Sequence, residues 1–239
     1  MKTKNKPIIV ITHERSGTHL LINIINYNEL GKFYTIGFIP DNLEHNLKNY
    51  KDFAFKSIIS LSYQNDIVCK SHHQVEFMEK YLEFIFERYN VIYLYRDVKD
   101  VLVSYYNFLM PIENFPEFKD WIFMKPSEVG EKFKQDVKHV HETDPHVIIE
   151  PENYIDRWKI HTDGWLKHKN EMLVLKYEDI LNDFENQKIT IEDYLGREIG
   201  TIPDINDKRF PNFNPGKGIV GGWKDLIDDE LNKKIEKYL

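Results

Sequence analysis

The residues best equipped for chemistry lie in a short loop, His13-Glu14-Arg15-Ser16-Gly17-Thr18, which follows the apolar run PIIVIT and precedes a helical pattern. A glycine at position 17 allows close backbone approach, successive amides can face an anion, and a helix start adds partial positive charge. Ser16 and Thr18 add hydroxyl donors, and Arg15 adds a fixed cation with a fork of donors. This is a phosphate cradle in physical terms, although Ser-Gly-Thr also serves as an ordinary strand-to-helix turn. The kinase-type loop, Gly-x-x-x-x-Gly-Lys-Ser/Thr, is absent: Thr18 follows Gly17 with no lysine behind it. A second segment runs from Val91 to Tyr106, with Arg96 leaving the run VIYLY and Ser104 eight residues later. Two readings are open there. Both side chains converge on one anion, or Arg96 pairs with Asp97 or Asp100 and Ser104 is a small packing residue.

The elements that must position these groups are short, apolar, unalternating strands: Pro7 to Thr12, Asp66 to Lys70, Val91 to Tyr95 and Met172 to Lys176. Such runs suit strands buried on both faces of a parallel sheet. Helical patterns lie between and after them, at Gly17 to Tyr27, Gln74 to Arg88, Lys99 to Phe108, Tyr154 to Lys169 and Asp228 to Tyr238. The alternation predicts an α/β fold, one domain over residues 1–239, with a central, mostly parallel sheet flanked by helices and a P-loop-like phosphate-binding loop after the first strand. In such a sheet ligands sit at the carboxyl ends of the strands, where both segments above emerge. A stretch over residues 107–152, carrying Pro111, Pro116, Pro126 and Pro145, breaks the rhythm and reads as an insertion covering the sheet. Pro203 to Gly222 is a Pro- and Gly-rich loop.

Composition narrows the classes further. The 32 Lys and Arg against 39 Asp and Glu give a formal charge of -7, the wrong sign for a nucleic-acid binder. A single cysteine, Cys69, excludes an intrachain disulfide and a cysteine zinc cluster, points to a reducing compartment and, inside an apolar strand, reads as core. The stretch MKTKNKPIIVIT breaks straight into His13-Glu14-Arg15, so neither a signal sequence nor a membrane span is expected, and a soluble, cytoplasmic chain is. His139, His141 and Glu142 read as a solvated helix face, and no metal site is expected.

Taken in order, Thr12 to Thr18, Tyr95 to Tyr106 and the late loop Gly216-Lys217-Gly218-Ile219-Val220-Gly221-Gly222-Trp223-Lys224 resemble the sulfotransferases that use PAPS, 3'-phosphoadenosine 5'-phosphosulfate, most closely the cytosolic type. The resemblance runs from about Pro7 to Lys224. It implies that PAPS is the co-substrate and PAP the product, with no metal. Arg15, Ser16, Gly17, Thr18 and His19 would hold the phosphosulfate end, Arg15 standing where the family usually has lysine. Arg96 and Ser104 fall on the positions that hold the 3'-phosphate, and Lys217 and Gly218 on the late-loop contacts. Lys70-Ser71-His72 looks like the family's Lys-Thr-His, which puts His72 on the catalytic base, in preference to His73, and Lys70 on an auxiliary cation. Tyr177-Glu178-Asp179 matches a Tyr-Glu-Asp whose tyrosine reaches the adenine. Trp158, His161 and Trp165 match a tryptophan-histidine-tryptophan spacing and are taken as fold packing.

The chain departs from the family's pattern at Glu14, in place of proline, at Leu20, in place of an adenine-stacking tryptophan, and at Gly216, in place of arginine. A carboxylate at Glu14 must point away from a bound anion or pair with a cation. The implied reaction is in-line sulfuryl transfer to the hydroxyl of a small molecule or glycan. Phe115, Phe118, Trp121, Ile122 and Phe123 are expected to line or cap the acceptor pocket. The alternatives are a nucleotide-dependent kinase of related fold and a non-catalytic nucleotide-binding descendant. No dimerisation signature follows the Trp-Lys pair, so the oligomeric state stays open.

Overall fold

Five short runs pair into one parallel sheet in the computed structural model, which describes residues 6–26, 34–35, 47–64, 67–109, 112–133, 148–202 and 219–239. The strands are Ile8–Thr12 (β1), Tyr34–Thr35 (β2), Val68–Ser71 (β3), Asn90–Tyr95 (β4) and Leu173–Lys176 (β5), in the order β2-β3-β1-β4-β5. All four pairings are parallel, with Ile9 opposite Cys69 on one side and Val91 on the other. From β1 the chain passes to the edge strand β2, returns to β3 beside β1, and then crosses to the other side of β1 for β4 and β5, so the strand order reverses beside β1. Its carboxyl end is where such a sheet opens for a ligand.

Alternate residues of the strands feed two cores. Ile9, Ile11, Cys69, Val91 and Tyr93 face one, shared with Ala54, Phe55 and Ile58 of Leu47–Leu61 and with Trp165. Ile8, Val10, Val68, Ile92, Leu94 and Leu175 face the other, under Thr18–Ile25, Tyr177–Asn182 and Phe184–Leu195. The period of two along each strand thus fills both faces, and a sheet without a solvated face needs the unbroken apolar runs seen in the sequence.

Helices are labelled α1 (Thr18–Ile25), α2 (Leu47–Leu61), α3 (Val75–Met78), α4 (Leu82–Arg88), α5 (Val98–Leu109), α6 (Phe118–Trp121), α7 (Pro126–Phe133), α8 (Tyr154–Leu166), α9 (Tyr177–Asn182), α10 (Phe184–Leu195) and α11 (Asp229–Glu236). The single helix expected over 74–88 is instead α3 and α4 joined by a 3-10 turn, Glu79–Tyr81. Its apolar positions do not hold one stripe at helical spacing, and the tighter turn resets their phase.

The insertion also departs from expectation. Phe118, Trp121 and Ile122 are buried in a third core with Val98, Leu102, Tyr154, Ile155, Ile227 and Ile235, which contains no strand residue. Trp121 is fully buried and stacks on Tyr154 at 4.2 Å between ring centroids. The described part of the segment packs on α5, α8 and α11, and Phe118, Trp121 and Ile122 fill a core there. Phe115 and Phe123 are half-buried against the same core.

Candidate active site

β1 ends at Thr12, and the chain turns sharply into α1. Arg15 takes a left-handed conformation, φ 66°, and Gly17 another, φ 97°. Gly17 begins α1 without any side chain capping its first amides, which leaves the amide end of the helix to whatever enters the turn. A Cβ on Gly17 would lie 2.3 Å from Cδ2 of Tyr177, so the tyrosine ring rests directly on the glycine. Ser16 Oγ is buried and has no hydrogen-bond partner among the described residues. The hydroxyls of Thr12 and Thr18 bond to each other at 2.7 Å across the turn.

The neighbouring strand β3 delivers Lys70, Ser71, His72 and His73. His72 Nδ1 is 2.9 Å from the carbonyl oxygen of Thr12 and 3.1 Å from its hydroxyl. A carbonyl only accepts, so Nδ1 carries the proton and Nε2 of the neutral ring carries the lone pair. His73 lies on the other side of the backbone: it is fully buried, its Nδ1 is 2.7 Å from Ser71 Oγ, and it stacks on Phe77. Trp165 Nε1 donates to the His73 carbonyl at 2.9 Å, Trp158 Nε1 donates to the Arg96 carbonyl at 3.2 Å, and His161 Nδ1 is 3.1 Å from the Tyr93 hydroxyl. The three aromatic positions of α8 thus brace the strand ends from behind.

On the other side of β1, Arg96 leaves β4 almost wholly buried. Its guanidinium lies 4.4 Å over the Tyr177 ring and donates to the Ile219 carbonyl at 3.1 Å and, weakly, to the Arg15 carbonyl at 3.5 Å. Asp100 Oδ2, in the first turn of α5, is 3.9 Å from Arg96 Nη2, an ion pair. Arg96 Nε is buried with no hydrogen-bond partner among the described residues. Asp100 accepts from the amides of Gly221 at 2.8 Å and Trp223 at 3.2 Å, which ties the described end of the late loop to α5. Arg15 Nε donates to Ser104 Oγ at 3.2 Å, and its guanidinium lies 5.0 Å over Phe108. Ser104 and Arg96 therefore meet the glycine turn through Arg15.

Glu14 is paired. Its Oε1 accepts from Arg157 Nη2 of α8 at 2.7 Å, and Oε2 is 3.6 Å from His13 Nε2.

Burial and like charge shape the cradle's electrostatics. Burial lowers the Arg15 guanidinium from its ordinary value; Tyr105 opposes the shift and Arg96 adds to it. Burial alone lowers Lys70. His19, in the first turn of α1, is pushed down to about 4 by burial, then by Lys70 and Arg15. Lys70 and Arg15 thus both act on His19 beside the turn, an arrangement that favours an anion.

The fold brings together Arg15, Ser16, Gly17, Thr18, His19, Lys70, His72, Arg96, Ser104 and Tyr177 at the carboxyl ends of β1, β3, β4 and β5. Tyr177 is wedged between Gly17 and Arg96, and Leu20 is buried in the core under α1, so it offers no face to a base. Gly216, Lys217 and Gly218, with His139, His141 and Glu142, lie outside the described residues. Sequence reasoning missed Thr12, Arg157 and the loop-anchoring part played by Asp100. A threonine closing the first strand and an aspartate four residues after Arg96 were the available signals.

Comparison with known proteins adds a lineage. Residues 5–239 match the sulfotransferase domain family. Sulfotransferase 1E1 of Bos taurus is 24% identical over 273 residues, covering 97% of this chain and 81% of that one. Sulfotransferase 2A6 of Mus musculus is 27% identical over 241 residues, covering 98% and 74%. Among solved structures, mouse sulfotransferase SULT7A1 complexed with PAP superposes with a TM-score of 0.58 at 18% identity, covering 98% of this chain and 82% of that one. Retinol dehydratase in complex with retinol and PAP gives 0.57 at 21% identity, with 97% and 79% covered.

Proposed function

The chain belongs to the sulfotransferase domain family and is a transferase of sulfuryl groups, and from that premise we propose that it moves the sulfuryl group of PAPS to a hydroxyl of a small molecule or glycan, with His72 as the base. The observation that carries this reading is His72 itself: Thr12 fixes its tautomer by accepting from Nδ1, and the same threonine bonds Thr18 of the glycine turn. A base with its lone pair on Nε2 is thereby tied to an anion cradle, which suits group transfer and is superfluous for nucleotide binding alone.

The residues present fit a phosphosulfate donor. The start of α1, the buried Ser16 hydroxyl and the buried Arg96 Nε supply donors. In the proposed reaction Nε2 of His72 takes the proton of the attacking hydroxyl as its oxygen bonds to sulfur and the bond from sulfur to the phosphate oxygen breaks. Arg15 and Lys70 offset the charge growing on that oxygen. Arg15 acts by charge and hydrogen bonding alone, since a guanidinium keeps its proton, whereas a lysine lowered by burial can also donate one. Arg96 and Ser104 are proposed to hold the 3'-phosphate, and Lys217 and Gly218 to contact the donor.

The complexes of retinol dehydratase with retinol and with androsterone support a hydroxyl acceptor for this chain as well. No helix among the described residues is long and apolar enough to cross a membrane. Labelled sulfate transfer from PAPS to an alcohol and phenol panel tests the reaction. His72→Ala should lower turnover by about 10²-fold or more while leaving PAP affinity within about threefold. Full turnover by that variant would refute the assignment of the base.

A further inference from the structure

Glu14 puts a carboxylate into a loop whose other features receive an anion, and the structure holds the residue by its side chain and by its backbone. Oε1 accepts from Arg157 at 2.7 Å, with side-chain exposures of 21% for Glu14 and 7% for Arg157. The Glu14 carbonyl accepts from His13 Nδ1 at 2.9 Å. The next residue, Arg15, adopts the left-handed conformation that aims its Nε at Ser104. Arg157 reaches the loop from α8, and its guanidinium lies 5.8 Å over the ring of Tyr105, the neighbour of Ser104. One arginine therefore touches both segments that frame the cradle.

An uncompensated carboxylate here would repel a multiply charged donor through a partly desolvated path, where screening is weak. A non-glycine residue at positive φ also needs its surroundings to hold it. We propose that Arg157 is a positioning residue for the donor loop: it cancels the charge of Glu14 and, through Glu14, holds the Arg15 turn in the form that receives PAPS. The inference rests on the donor reading above. Arg157 itself does not touch the donor in this account, and its effect passes through Glu14.

The test is calorimetric titration of PAP into the wild-type protein, Arg157→Met, Glu14→Gln and the double variant. Arg157→Met strands a carboxylate and should weaken PAP binding about tenfold or more. The double variant should recover to within about threefold of Glu14→Gln. Glu14→Gln retains an oxygen for Arg157 but removes the negative charge, so PAP should bind it about threefold or more tightly than wild type. A merely structural ion pair predicts the opposite sign, because breaking it loosens the loop. Should Arg157→Met not fold, the sign of the Glu14→Gln effect decides: unchanged or weaker binding overturns the proposal. A double variant as weak as Arg157→Met overturns it too. A wild-type protein that fails to bind PAP would instead overturn the donor assignment, so the two failures are distinguishable.

Discussion

Replacing Gly17 with alanine should disable the nucleotide end of the site through a single methyl group. The added Cβ would sit 2.3 Å from Cδ2 and 2.5 Å from Cε2 of Tyr177, well inside van der Waals contact. The ring cannot simply swing away, because it is 6% exposed, packs with Leu21, Leu175 and Ile180, and carries the Arg96 guanidinium on its face. Two penalties follow. Alanine at φ 97° costs about 1–2 kcal/mol in backbone strain, and overpacking a closed core costs typically about 1–3 kcal/mol. The sum, roughly 2–5 kcal/mol, corresponds to a fall in Tm of about 5–15 °C in a chain of this size. PAP affinity should fall as well, since Arg96 moves with the ring. Thermal unfolding and calorimetry measure both. A double-mutant cycle isolates the cause: in a Tyr177→Ala background the steric part vanishes, so Gly17→Ala should cost about 1–2 kcal/mol and no more. An unchanged Tm in Gly17→Ala, or an equal cost in both backgrounds, would refute the reasoning.

Two further outcomes are expected. Asp100→Asn leaves an NH2 group against one of the two late-loop amides and takes the counter-charge from buried Arg96, so it should cost about 2–4 kcal/mol; a Tm within a degree of wild type would remove Asp100 as the loop's anchor. His19 is held at about 4 against an ordinary 6.5, so between these values the unfolded chain binds a proton that the folded chain refuses. Stability contributed by His19 is present above pH 6.5 and lost as pH falls towards 4, by at most about 3 kcal/mol. His19→Gln should flatten the decline of Tm between pH 7 and pH 5, and parallel curves for the two proteins would contradict this.

The central strands were legible almost to the residue, since PIIVIT and VIYLY are unbroken apolar runs and the sheet buries both of their sides. His72 was preferred to His73 on the Lys-x-His spacing at a strand end, and the structure separates the two side chains. The alternation of β3 continues past its end, so Ser71 and His73 turn inward while Lys70 and His72 turn to the cleft. Helix α10 escaped notice because it buries only Ile191 and Leu195 and leaves Ile189 exposed, which gives no apolar stripe. Helix α2 carried a readable stripe at Ala54, Phe55, Ile58 and Leu61, blurred by the polar residues between them. The burial of Phe118, Trp121 and Ile122 was not legible because a pocket wall and a core wall have the same composition. What covers them depends on α11, whose residues Leu231 and Ile235 pack there from the far end of the chain. Glu14 and Arg157 lie 143 residues apart, and Asp100 and Gly221 lie 121 apart; no local pattern announces either contact.

These long-range contacts also explain how an acidic protein can hold a cationic cleft without collapsing it into ion pairs. Asp100 balances Arg96 and bonds the late loop, while Glu14 balances Arg157, so two buried arginines are matched by two carboxylates. Arg15 differs. Its described partners are the neutral hydroxyl of Ser104 and the ring of Phe108, and no carboxylate among the described residues lies within ion-pair distance of it. Among the described residues, Arg15 thus offers an anion a guanidinium whose hydrogen bond is to a neutral acceptor. The two matched pairs hold the frame, and Arg15 stands where the backbone turns left-handed into α1. The formal charge of -7 describes the exterior and leaves this local balance untouched.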